Sequence, residues 1–185
     1  MYSRGSSIPR RFRRPFASAR TAAFTLIEIL IVVIILGILA AIVIPQFTSA
    51  SQDARKNSLV SQLQTLRSQL ELYKLQHLDQ LPSTLIGATP AWTQMVNKTD
   101  AAGATGTSTA FPFGPYLQAD PTNPLNSTNS TAVGVVTADV SGGATNASGS
   151  VGFVINSANG KIWGTSSKYG YIYNESNPSD PNNDN

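Results

Sequence analysis

Two hydrophobic patterns of different period follow one another along the chain. From Phe24 to Ile44 the run FTLIEILIVVIILGILAAIVI is apolar on every face, with Thr25 and Glu28 as its only polar side chains. At 1.5 Å of rise per residue such a run predicts a helix of roughly 31 Å, the thickness of a bilayer core. Pro45 follows, and a proline inside a continuing helix predicts a kink or local unwinding at the point where the helix leaves the bilayer. Beyond it Leu59, Leu63, Leu66, Leu70, Tyr73 and His77 recur at alternating steps of four and three among Gln, Ser, Arg and Lys. That spacing is an apolar stripe on one helix face, and it predicts an amphipathic helix within 48–81. Leu81 ends the helix, because the residue before a proline is pushed out of the helical region. The stripe needs a surface to pack on, and His77 falls on it as a structural histidine rather than a ligand.

After Pro82 the chain turns to Gly, Pro, Ser, Thr and Asn with short β-prone pieces. Val151–Ile155 and Lys161–Gly164 flank Asn159-Gly160, a strong hairpin-turn signal, with a connection of two residues or more. A further extended segment is expected over 132–140. Phe111-Pro-Phe-Gly-Pro-Tyr-Leu117 forms an aromatic, proline-rich loop placed to cover the sheet. Residues 174–185 hold almost no apolar side chain and are expected to be disordered. The predicted fold class is therefore α+β: a long N-terminal helix, membrane-spanning in its first half and amphipathic in its second, packed on a small antiparallel sheet. The chain reads as 1–23, 24–47, 48–81, 82–173 and 174–185.

Charge sharpens this division. The formal net charge of +3 averages six arginines and no acid in residues 1–23 against seven basic and ten acidic residues in the rest. The basic pI of about 9.3 is thus a property of the first segment, and no nucleic-acid partner follows from it. With arginines only before the apolar run, the start of the chain faces the cytoplasm and everything after Pro45 lies on the far side of a single-pass anchor. A secretory signal peptide is the alternative, but its apolar region is about 7 to 15 residues long and this one is longer. A twin-arginine signal at Arg10-Arg11-Phe12 is weaker still. The absence of cysteine excludes a disulfide framework, a zinc finger and a cysteine nucleophile, and the single histidine argues against a histidine metal centre or triad.

Glu28 is the residue that a plain anchor leaves unexplained, since an acid near the middle of a membrane helix costs on the order of 2.5 to 3.5 kcal/mol and somewhat less near its end. Phe24-Thr25-Leu26-Ile27-Glu28, with Gly37 and Pro45 after it, resembles the N-terminus of type IV pilins and of the pseudopilins of type II secretion systems. The resemblance implies that residues 1–23 are a leader removed by a prepilin peptidase between Ala23 and Phe24, and that the new Phe24 amine is N-methylated. Ala23 stands where the family normally has Gly; both are small, and the extra methyl implies slower cleavage. Gly114-Pro115-Tyr116-Leu117, Asp120-Pro121, Asn123-Pro124 and a C-terminal hairpin resemble the major pseudopilin in particular. The implied setting is the bacterial inner membrane, with the C-terminal domain periplasmic. The implied partners are further copies in a helical filament, the assembly platform of the secretion system and minor pseudopilins, with Phe24 and Glu28 carrying assembly.

No cofactor is required by this reading. Major pseudopilins commonly bind calcium near their C-terminal strands, and Asp120, Asn123, Asn126 and Asp139 offer oxygen ligands, although none aligns with the family's own and solvated loop groups account for them better. The N-x-S/T sequons at Asn97, Asn126, Asn129, Asn146 and Asn174 follow from a Ser/Thr/Asn-rich composition. Trp92 and Trp163 read as packing residues. No nucleophile–base pair, phosphate loop or metal spacing supports an enzyme. The functional readings are a pseudopilus subunit for protein secretion, a type IV pilus subunit for adhesion, motility or DNA uptake, and a single-pass anchored binding module, the last of which gives Glu28 no purpose.

Overall fold

The structure is a computed structural model of the 185-residue chain and describes residues 24–128, 130–144, 151–166 and 170–183. Its elements are α1 (Leu26–Gln76), α2 (Thr93–Val96), β1 (Lys98–Thr99), β2 (Thr105–Gly106), β3 (Val133–Val136), β4 (Phe153–Asn156) and β5 (Ile162–Gly164). The chain divides into two units between Pro45 and Gln46.

In the first unit α1 carries its large apolar side chains in the open, from Leu26 to Ile44. By length and composition it is long and apolar enough to cross a membrane. Helical structure is unbroken through Pro45, so the local unwinding expected there is absent. A proline removes one backbone donor and the neighbouring turns hold.

In the second unit every member of the predicted stripe is buried: Leu59 and Leu63 fully, Leu66 and Leu70 to 1% exposure, Tyr73 and His77 to 2%. They join Leu85, Trp92, Met95, Phe153, Ile155 and Ile162 in one core, so the amphipathic half of α1 and the sheet bury each other's apolar faces. Gly164 lets this happen at close range, because a Cβ there would lie 2.9 Å from the Leu59 methyls.

The three-stranded sheet has the order β3-β4-β5. β4 and β5 pair antiparallel in the expected hairpin, with Val154 opposite Trp163. β3, however, runs parallel to β4, with Val133 opposite Phe153. The sheet is therefore mixed rather than wholly antiparallel. The stretch from Val136 to Phe153 exceeds the dozen or so residues that a parallel crossover needs, which makes this pairing accessible. β1 and β2 form a separate two-stranded antiparallel ladder around a turn in which Asp100 Oδ1 accepts the N–H groups of Ala102 and Ala104.

Three further expectations are corrected. α1 ends at Gln76, short of Leu81. His77 turns inward and its Nδ1 donates to the Tyr73 carbonyl at 2.8 Å, while Leu78 and Asp79 take left-handed conformations with φ of 53° and 61° that cannot continue a helix. The aromatic loop packs on this helix end and on the β1–β2 ladder: Phe113 exchanges backbone hydrogen bonds with Thr99 of β1 and meets the His77 ring edge-on, the Phe111 ring lies against Gly106 of β2, Tyr116 meets Tyr73 edge-on, and the Tyr116 hydroxyl donates to Gln76 Oε1 at 2.6 Å. Lastly, of the segment 174–185 expected to be disordered, residues 184 and 185 lie outside the described residues, and 174–183 take a defined course. They are fixed by hydrogen bonds that bury Asn183 to 1% exposure.

Candidate functional site

Thr25 and Glu28 form the first turn of α1 as a reciprocal cap. Glu28 N donates to Thr25 Oγ1 at 3.2 Å, and Glu28 Oε2 in return accepts the Thr25 N–H at 2.7 Å and the Thr25 hydroxyl at 2.9 Å. This is the capping box, Thr-x-x-Glu, which satisfies helix N-terminal donors that would otherwise be orphaned in an apolar medium. The signal is legible in Thr25-Leu26-Ile27-Glu28, yet reading Glu28 only as a charge in hydrocarbon passes over it. The carboxylate thus has a local task as well as a charge. Both bonds from Thr25 end on Oε2, and among the described residues Oε1 has no partner.

Phe24, immediately before the cap, is 80% exposed, and Ala23 lies outside the described residues. Phe24, Glu28, Ile29, Ile31 and Val32 line an open, mostly apolar surface groove of about 390 Å³ beside the acid. Chemically the arrangement offers an acceptor oxygen to a cation brought into an apolar interface. It holds no nucleophile and no base–nucleophile pair.

The other candidates are scattered. His77 is wholly used in packing, with Nδ1 on the Tyr73 carbonyl, Nε2 3.0 Å from Thr99 Oγ1, and its ring stacked on Tyr73 with centroids 3.8 Å apart. Trp92 is core, donating to the Thr131 carbonyl at 2.8 Å and lying edge-on to Phe153. Of the sequon residues, Asn129 and Asn146 lie outside the described residues, while Asn126 is buried.

The four candidate calcium ligands are not brought together. Asn123 and Asn126 are neighbours at the open end of the β4–β5 hairpin, where their Nδ2 groups donate to the Gly152 and Val151 carbonyls at 2.6 and 2.9 Å. Their Oδ1 atoms accept backbone N–H groups, Leu125 at 2.8 Å and Thr128 at 3.2 Å. Asp139 lies at the opposite, turn end, and Asp120 is exposed. Among the described residues no group of three or more histidine and carboxylate side chains gathers in one place. These four residues do not fit a single calcium ion.

Asp139 instead fastens the hairpin turn. Lys161 forms an ion pair with Oδ2, while Oδ1 accepts from Asn159 at 2.8 Å and from Asn156 at 2.7 Å. The Lys161 ammonium first, and then the two amides, hold its pKa at about 2. A carboxyl whose folded pKa is depressed stabilises the fold above its unfolded value of about 3.9 and loses that contribution as pH falls toward its folded value. The stability of wild type is therefore expected to decline more steeply than that of Asp139→Asn as pH drops from about 4 to about 2. Parallel thermal melts across that window check it, and equal slopes would show the turn cluster to be energetically silent.

The prokaryotic N-terminal methylation motif matches residues 18–44, which places the Phe24–Glu28 cap inside it. Type II secretion system core protein G of Dickeya chrysanthemi is 45% identical over 56 residues, covering 30% of this chain and 37% of that protein. The protein of the same name from Aeromonas hydrophila is 36% identical over 83 residues, 45% of this chain and 54% of the other. That of Klebsiella pneumoniae is 32% identical over 108 residues, 58% of this chain and 71% of its own length. The matches to the Dickeya and Pectobacterium relatives span 37% and 41% of those proteins, about two fifths of their length. No solved structure matches at a significant level. The methylation motif at the capped helix start, together with a match that covers more than two thirds of a relative, shows that the chain belongs to the family of type II secretion system core protein G, the major pseudopilins.

Proposed function

We propose that the chain is a structural subunit of an extracytoplasmic pseudopilus that serves type II protein secretion. The subunit is anchored by the 24–44 helix, freed of its leader between Ala23 and Phe24, N-methylated at Phe24, and polymerised through the same helix. The observation that carries this reading is the start of α1, where a capped acid with an open oxygen stands beside an apolar groove on a helix whose apolar side chains are exposed all round. An isolated domain gains nothing from such a helix, whereas a filament core buries it.

The N-terminus faces the cytoplasm before cleavage and the domain after Pro45 is periplasmic, in keeping with arginines on one flank only. The partners are further copies of the chain, a prepilin peptidase, the inner-membrane assembly platform and minor pseudopilins. The subunit performs no chemistry of its own and binds no nucleic acid. A type IV pilus role is not favoured, because the relatives found carry the secretion-system name.

Processing tests the reading directly. Intact-mass measurement on membrane-extracted protein is expected to give a chain that begins at Phe24 and carries one added methyl. Its formal charge moves from +3 to −3, the balance of the seven basic and ten acidic residues that remain. A mature N-terminus after Ile44 would instead establish a secretory signal peptide and end the filament reading.

A further inference from the structure

The C-terminal segment is polar throughout, and its own amides tie it down. Asn183 Nδ2 donates to the carbonyls of Asn174 and Asn177 at 3.2 and 3.0 Å, and its Oδ1 accepts the Asn174 N–H at 2.8 Å. Asp180 closes the same loop from the other side: Oδ2 accepts from Asn174 Nδ2 at 2.8 Å and Oδ1 from the backbone N–H of Asn182 at 2.9 Å. Gly143 admits the carboxylate, since a Cβ there would lie 2.6 Å from Asp180 Oδ2, and its φ of +76° favours glycine in any case. The loop then straps onto α1. Lys56 Nζ donates to the Pro178 carbonyl at 3.3 Å, and the Arg67 fork donates to Glu175 at 2.9 and 2.5 Å and to the Ile162 carbonyl of β5 at 2.9 Å.

The donor set decides what this loop can hold. Calcium takes about six to eight oxygens aimed at one centre, usually with several carboxylates among them. Here the loop's central carboxylate, Asp180, meets N–H groups on both oxygens. One of those donors is a backbone amide, which no side-chain rotation converts into an oxygen ligand. Each Asp180 oxygen already accepts one N–H, and the oxygens of Asn174 and Asn183 are likewise engaged by backbone N–H groups, so the loop does not aim a set of free oxygens at one centre.

We propose that the C-terminal loop of this chain is clasped by side-chain amides, so that it keeps its shape and its hold on α1 without the calcium that the resemblance to major pseudopilins implies. The inference concerns the chain's own loop and stands or falls separately from filament assembly. Its physical content is a linkage statement: an ion that bound the folded state alone would raise the melting temperature with its concentration, and a loop already closed by amides shows no such dependence.

The test uses the full chain extracted in detergent, melted in millimolar calcium chloride and in excess EDTA. Wild type is expected to melt at the same temperature in both. Asn183→Ala leaves the Asn174 N–H and two carbonyls without their partner, and is expected to lower the melting temperature by about 4 °C or more, equally with and without calcium. Asp180→Asn, a nearly isosteric change that a cation site would not survive, is expected to leave the calcium-to-EDTA difference at zero. A melting temperature raised by calcium in wild type and made insensitive by Asp180→Asn would overturn the proposal in favour of a metal site. Asn183→Ala melting like wild type would overturn it by showing that the amides hold nothing.

Discussion

Replacing Leu66 by Ala is expected to destabilise the domain after Pro45 by about 2 to 5 kcal/mol, a large part of the total for a domain of this size. Leu66 is 1% exposed and sits mid-stripe, with Leu63 one turn before it and Leu70 one turn after, in the core shared with the sheet. The cost combines the lost transfer of a buried isobutyl group with the cavity left behind. The core cannot collapse freely around the gap, because Phe153, Ile155 and Ile162 are fixed by a strand ladder. Thermal or denaturant unfolding of the detergent-extracted chain measures the loss, and Leu75→Ala supplies the control. Leu75 lies on the same helix at 82% exposure and should change stability by less than about 0.5 kcal/mol. Equal stability of wild type and Leu66→Ala would mean that the stripe faces solvent.

That stripe was fully legible in the sequence, because burial of one helix face imposes a 3.6-residue period that nothing else in this chain mimics. The helix terminus was not. Leu81-Pro82 is a valid stop, but the helix yields earlier, where His77 exchanges solvent for the Tyr73 carbonyl and the Thr99 hydroxyl, a choice that depends on a strand more than twenty residues downstream. The direction of β3 was equally hidden: period-2 patterning specifies a strand and its faces but carries no information on whether it pairs parallel or antiparallel. The tail shows the opposite failing of composition. Asn, Asp, Ser and Pro without apolar residues read as disorder, yet Asn carries donors and acceptors in equal measure. Several of them can therefore satisfy one another and the backbone with no hydrophobic core. Glu28 stood out in the sequence because an acid in an apolar run is expensive, and only its part in the helix cap needed the geometry.

Glu28→Leu is expected to leave membrane insertion, leader cleavage and the fold of the domain after Pro45 intact while severely reducing filament assembly. A lone carboxylate in hydrocarbon is strongly disfavoured, so within the monomer it is held by Thr25 at the helix start. When helices stack in a filament core with a small axial offset, the oxygen that Thr25 leaves open can receive the methylated Phe24 amine of another copy, a cation that exists only after cleavage. The pair relieves two charges that would otherwise stand unpaired in low dielectric, so it selects the register between subunits more than it stabilises any one of them. The capping box complicates a single substitution, since leucine deletes both the cap and the charge, and loss of a cap alone costs about 0.5 to 2 kcal/mol of helix stability. Glu28→Gln separates them: glutamine can still complete the cap with Thr25 but cannot neutralise an amine. With each variant as the only copy, sheared-filament yield is expected to collapse for both Leu and Gln. Wild-type yield from Glu28→Leu would dismiss any role for the residue in assembly. Rescue by Gln alone would assign Glu28 to capping and leave the Phe24 amine without its partner.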